Sequence, residues 1–114
     1  MHNQKRIKYI SSFELIYTYL MFKGGFNIKN CGIYYIKNNK TQQIYIGQTV
    51  NIQRRQKQHF QALKNNKHVN NYLQNSFNKY GEIAFEFGVI EHCNPDKLDE
   101  LEKAYMNMYN VRKN

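Results

Sequence analysis

The chain has 114 residues, 41% of them hydrophobic and 22% charged, which excludes a disordered segment and a two-domain protein and leaves material for one modest core. Seventeen Lys and Arg against eight Asp and Glu give a net charge of +9, which points to a polyanionic partner, either nucleic acid or an anionic membrane surface. Two cysteines, Cys31 and Cys93, without a C-x-x-C or paired-histidine spacing, exclude a disulfide framework and a closed zinc site and are expected as reduced thiols inside a cell.

In chain order, Lys5, Arg6 and Lys8 precede an apolar run over 13–22 that Gly24-Gly25 ends. Ser11 and Glu14 have capping-box spacing, so a short helix is predicted over 12–23. The run is too short to cross a bilayer. Glu14 interrupts it and no small-residue cleavage site follows, so it does not read as a signal peptide. Residues 1–30 are expected as a basic and apolar extension, a packing or interfacial helix, distinct from a domain over 31–114.

From there the pattern is regular. Segments 32–37 and 43–48 alternate Ile with Tyr at period two around a polar loop, Asn38 to Gln42, and predict a β-hairpin. Period two puts Tyr34 and Ile36 on one face and Ile33 and Tyr35 on the other. A basic amphipathic helix is predicted over 51–66 and a second over 69–79, with Gly81 placed to end it. Over 83–90, Ile83, Phe85, Phe87 and Val89 share one face of a third strand. Asn94-Pro95-Asp96 then opens a last helix running through residue 109, with Asp99 and Glu100 at its positive end. The order ββααβα is that of an α+β domain, a small sheet flanked by helices.

Two helices carry polar groups where apolar ones belong. In the helix over 51–66, Ile52, Phe60 and Leu63 form a stripe into which His59 projects, and Arg55 lies one turn earlier at its edge. A satisfied core histidine and an arginine reaching out to water would explain both. In the last helix, Leu98, Leu101, Tyr105, Met108 and Tyr109 form the core face, Glu102 borders it, and Asp99 and Glu100 project away. A carboxylate bordering a core is rarely left bare. Glu102 therefore either pairs with a cation such as Arg55 or ligates a metal beside a phosphate-directed Arg55; Mg²⁺ suits such sparse ligation.

Gly32-Ile33-Tyr34, ten intervening residues, Tyr45-Ile46-Gly47, Arg55 eight residues on, His59, the segment Ser76 to Gly81 and Glu102 together resemble the GIY-YIG nuclease domain. The likeness is greatest to the intron-encoded homing endonucleases of this type. It implies a three-stranded antiparallel sheet and divalent-metal-dependent hydrolysis of DNA phosphodiesters. It also implies catalytic roles for Tyr34, Tyr45, Arg55, His59 and Glu102. Glu102 would hold the one metal ion per domain, Mg²⁺ or Mn²⁺, and Arg55 would contact the scissile phosphate. Tyr34 and His59 are both candidates to activate water. A phenol near pKa 10 is a poor base and an imidazole near 6.5 a better one. Gly47, Arg54, Lys57, Lys64, His68 and Lys79 are the residues expected to contact DNA.

Homing enzymes of this type often begin close to the first triplet and carry an Asn downstream of the metal-binding Glu. Here thirty residues precede the triplet, and Asn110 and Asn114 are the substitutes available. Nothing after the last helix resembles a recognition region, so a standalone nuclease, a truncated homing enzyme and an excised catalytic domain are all compatible with the chain. The partner expected is DNA, met as a monomer or a transient dimer. The A/T-rich codon bias behind so much Asn, Lys, Ile and Tyr hints at a phage, viral or organellar (mitochondrial) origin. The alternatives are a catalytically silent DNA-binding module on the same fold and a membrane-surface protein.

Overall fold

The computed structural model describes residues 30–109; the helix expected over 12–23 and the candidates Asn110 and Asn114 lie outside them. The order is ββααβα, as read from the sequence: β1 (Gly32–Asn38), β2 (Ile44–Thr49), α1 (Ile52–Lys64), α2 (Asn71–Tyr80), β3 (Phe85–His92) and α3 (Leu98–Met108), with 3-10 turns at Glu82–Ala84 and Pro95–Lys97. The strands are antiparallel in the order β2-β1-β3. The central strand is thus the one carrying the first triplet, and it is covered on both faces.

Period two along β1 divides the core. Tyr34 and Ile36 pack with Ile52 and Leu63 of α1 and Leu73 and Phe77 of α2. Ile33 packs with Ile46 of β2 and Leu98 of α3, with Tyr35, Leu101, Tyr105 and Met106 against them. Cys31 and Cys93 lie in that second cluster as free thiols, and burial pushes the Cys31 thiol up to about 12.

Local chemistry explains the element ends. The Asn38 carboxamide accepts from the Lys40 and Thr41 amides at 2.9 and 3.3 Å and donates to Ser76 at 3.0 Å, so the hairpin loop is pinned to α2. Asn51 and Asn70 cap α1 and α2 by accepting from the Arg54 and Leu73 amides, each at 3.0 Å. Gly81 closes α2 at φ 84, a conformation that favours glycine.

Two readings of core faces need correction. Ile83 is not in the third strand. It sits in the 3-10 turn after Gly81 and is 93% exposed, and the strand starts at Phe85. Phe85 and Phe87 do face α1 and α2, but a bulge opposite Ile33 and Tyr34 shifts the register from Val89 to Glu91. Ile90 and Glu91 consequently both serve the α3 side, one in the core and one accepting from the Tyr105 hydroxyl at 2.7 Å. In α3, Met106 packs where Met108 was expected, and Met108 and Tyr109 are exposed. At 100° per residue the two methionines lie about 80° to either side of the Leu98 direction. Only packing against the sheet selects between them.

Candidate active site

The sheet and its helices bring six of the residues singled out above to one place. Tyr34 is 1% exposed although it is polar at its tip, and its hydroxyl lies 2.6 Å from His59 Nε2. His59 is 2% exposed, and its Nδ1 lies 2.7 Å from His68 Nε2, with the two rings nearly parallel. Tyr45 presents its ring to both imidazoles, centroids 5.5 and 6.5 Å away, at steep angles. Arg55, half-buried on the same face of α1, donates to Gln58 at 3.1 Å and bears on the Tyr34 hydroxyl. Glu102, on α3, bears on both phenols through its charge.

Gly47 makes this arrangement possible. A Cβ there would land on the Tyr34 hydroxyl and ring carbon Cζ, so the phenol lies directly across the glycine of the second triplet. In the first triplet, a Cβ on Gly32 would strike the β3 backbone at Glu91 and His92. Each triplet glycine is therefore explained by close approach, one to a side chain and one to a strand.

The electrostatics follow from burial around one cation. Burial pushes the Tyr34 phenol well above its ordinary value, Tyr45 adds to the rise, and Arg55 opposes it. Tyr45 is raised by burial, with Arg55 again opposing and Glu102 adding. Burial holds His59 down at about 3, and the Arg55 charge and His68 act in the same direction. His68 is also lowered, by burial first and by Arg55 next. The structural alternative of an Arg55–Glu102 ion pair does not form. Among the described residues the salt bridge is Lys64 with Glu82, at 3.3 Å and largely exposed. Among the described residues Arg55 thus has no ion-pair partner, and its charge lies beside two phenols and two imidazoles held toward their neutral forms.

Gln48, which the sequence did not single out, and Asp99, expected to project away, complete the acidic side. The Gln48 amide donates to Glu102 Oε1 at 2.7 Å and to Asp99 Oδ1 at 2.8 Å. Asp99 therefore does not project away; it shares one carboxamide with Glu102, three residues on along α3. The available signal was Gln48's parity with Ile46, which puts it on the α3 face of β2. A third overlooked residue is Gln74, buried on α2. It accepts from the His68 amide at 3.0 Å and donates to the Leu63 carbonyl at 3.0 Å, which fixes the loop between the helices.

The expected DNA contacts separate into two groups. Arg54, Lys57, Lys64 and Lys79 are exposed, with Lys64 engaged by Glu82 and Lys79 over the Tyr80 ring at 5.3 Å. Gly47 and His68 are buried instead, the one beneath Tyr34 and the other with both ring nitrogens hydrogen-bonded. No described helix is long and apolar enough to cross a membrane.

Comparison with known proteins agrees with this geometry. The GIY-YIG catalytic domain family matches residues 30–114. Intron-associated endonuclease 1 of Enterobacteria phage T4 is 34% identical over 85 residues, which are 73% of this chain and 34% of that protein. The chain thus spans about a third of that relative's length. The solved catalytic domain of the homing endonuclease I-TevI superposes with a TM-score of 0.66 at 33% identity, covering 70% of this chain and 88% of that one. A substituted form of the same domain gives 0.65, also at 33% identity, over 70% and 84%.

Proposed function

The chain belongs to the GIY-YIG catalytic-domain family, and on that premise we propose that it is a divalent-metal-dependent nuclease hydrolysing DNA phosphodiester bonds, of the homing type. The observation that carries the reading is that Arg55, without an ion-pair partner among the described residues, and Glu102, held by Gln48, both bear on Tyr34 and Tyr45, with His59 bonded to Tyr34. An unpaired arginine beside buried neutral groups is a ready anion site, and its planar fork matches a phosphodiester. Arg55 binds the scissile phosphate and stabilises the charge that builds on its oxygens. Tyr34 or His59 takes the proton of the attacking water, and Tyr45 holds a substrate or water oxygen by its hydroxyl. Arg54 and Lys57, exposed on α1, track the DNA backbone and make binding steeply salt-dependent.

The donor set fits Mg²⁺ or Mn²⁺. Such ions take one or two carboxylates and complete their shell with water and phosphate oxygens. Among the described residues no three ligating side chains cluster, and Glu102 with Asp99 beside it supplies that sparse set. The ion, when bound, supplies Lewis-acid polarisation of the phosphate and neutralises the leaving 3′ oxygen. One site per domain cuts one strand per event, so a double-strand break takes a transient dimer or two successive nicks.

Nicking of supercoiled plasmid with Mg²⁺ or Mn²⁺ tests this. Arg55→Ala and Glu102→Ala should each lower the rate by at least about 10²-fold, and Glu102→Ala should still bind DNA. Equal background rates in wild type and both variants would sink the nuclease reading. Salt-sensitive DNA binding with no cleavage under any divalent ion would establish the silent binding module instead.

Gln48 adds an independent expectation. With its amide gone, Glu102 and Asp99 lose the donor that aligns them, and supporting groups of this kind are worth about tenfold or more in metal affinity. Gln48→Ala should raise the half-saturating Mn²⁺ concentration about tenfold, read both from nicking and from free Mn²⁺ by electron paramagnetic resonance. An unchanged Mn²⁺ titration would reduce Gln48 to a link between β2 and α3.

A further inference from the structure

The nuclease reading leaves two groups competing for the proton of water, Tyr34 and His59. The hydrogen bonds around them have a direction that decides between the two. The Asn70 backbone amide lies 3.0 Å from His68 Nδ1. A backbone amide can only donate, so His68 Nδ1 carries a lone pair. A neutral His68 must then hold its proton on Nε2, which lies 2.7 Å from His59 Nδ1. His59 Nδ1 therefore accepts, and a neutral His59 holds its own proton on Nε2. That nitrogen is 2.6 Å from the Tyr34 hydroxyl oxygen, so His59 donates to Tyr34. The Tyr34 proton is left to point away from His59, into the site.

We propose that His68 is a positioning residue for DNA cleavage: aligned by the Asn70 amide, it locks His59 as a hydrogen-bond donor to Tyr34, so that the Tyr34 oxygen, and not His59, is presented to water.

The opposite sense is blocked at its far end. Reversing the wire would place a proton on His68 Nδ1 facing the Asn70 N–H at 3.0 Å, two donors with no acceptor. A cationic His59 meets the same conflict, since its Nδ1 proton would oppose the His68 Nε2 proton. The frame cannot relax to relieve either conflict. The Asn70 side chain caps α2, and Gln74 holds the His68 amide and the Leu63 carbonyl. The charged and titratable groups that bear on the wire agree with it. Arg55 from α1 disfavours a cation on either imidazole, Tyr45 from β2 is raised toward its neutral form, and the Glu102 charge is felt at the tyrosines. With both nitrogens of His59 occupied, it has no lone pair left for water. Burial, Tyr45 and Glu102 keep the Tyr34 phenol protonated and Arg55 opposes them. For Tyr34 to take a proton from water its own must first leave into the site, and the His59 Nε2–H and Arg55 are the donors that then face the phenolate.

This inference rests on the nuclease reading for its meaning but not for its test. Protein labelled with ¹⁵N at histidine, free of metal and DNA, is recorded by long-range ¹H–¹⁵N correlation between pH 8 and 5, with assignment by His59→Gln and His68→Gln. Both imidazoles should be the Nε2–H tautomer and stay neutral throughout. Finding His59 as the Nδ1–H tautomer, or as a cation at pH 7, overturns the proposal whether or not the protein cleaves. In nicking assays, His68→Leu should fall at least about tenfold with the acid limb of its pH–rate profile moved upward, because His59 is then free to charge. His68→Gln, which keeps a donor, should recover part of the rate, and DNA affinity should match wild type in both. An unchanged rate and pH profile in His68→Leu would reject the positioning role. A wild type that cuts nothing under any metal would reject the nuclease reading while leaving the tautomer result standing.

Discussion

Gly47→Ala should lower plasmid nicking by about 10²-fold while leaving the protein folded. The added methyl carbon falls on the hydroxyl, Cζ and Cε2 of Tyr34. That ring can yield only by giving up its own contacts: it is 1% exposed, stacked on Phe87 at 5.2 Å and tilted against His59 at 5.4 Å. It must swing away from Gly47, and the 2.6 Å bond to His59 goes with it. Overpacking of this kind costs about 1–3 kcal/mol, a fall of roughly 5–15 °C in Tm for a domain this size. Misplacing a reacting group by about 1 Å costs about 10²-fold in rate. Gly88→Ala is the control, since its methyl meets Tyr35 in the same way, with Cζ and Oη both at 2.6 Å. Tyr35 is half-buried on the α3 side, its hydroxyl donating to the exposed Glu86, so it can shift outward. Gly88→Ala should therefore lower Tm and spare nicking. If Gly47→Ala nicks at the wild-type rate, Tyr34 does not work where the fold puts it.

That contrast also marks what the sequence could tell. Parity along β1 separated Tyr34 from Tyr35, and the two faces indeed meet different helices, because a strand covered on both sides leaves its alternation intact. The stripe on α1 likewise exposed His59 as misplaced in an apolar row. What stayed hidden depends on groups distant in the chain. His68 sits in a loop with no periodicity, so neither its burial nor its bond to His59 had a local sign. Gln48 and Asp99 meet only after α3 folds over β2, and an angle of about 100° between neighbours makes Asp99 look outward until that packing is known. Ile83 was misread because Gly81 and a 3-10 turn hold the chain out of the strand for three residues that keep a strand-like alternation.

Acidification should weaken the fold well above the pH at which carboxylates protonate. His59 is held near 3 by burial, then by Arg55 and His68, against an ordinary 6.5. Its folded pKa is depressed, so the stability it permits is complete above pH 6.5 and is lost as pH falls from there toward about 3. The unfolded chain takes the proton that the folded chain refuses, at up to about 1.4 kcal/mol per pH unit. Between pH 6.5 and 5 this single imidazole removes about 2 kcal/mol, and His68, lowered for the same leading reason, adds to it. Urea midpoints at pH 7.5, 6.5, 5.8 and 5.0 should be flat across the first pair and fall steeply across the rest. In His59→Gln the fall should be shallower, whatever the absolute stability of that variant. A wild-type midpoint that stays constant down to pH 5, or an equal slope in His59→Gln, would remove His59 as the cause. The same protonation that strains the fold opposes the His68 donor at 2.7 Å. Because the folded chain refuses that proton down to about 3, nicking by the folded protein should show no acid limb from His59 over the range in which the urea midpoint falls.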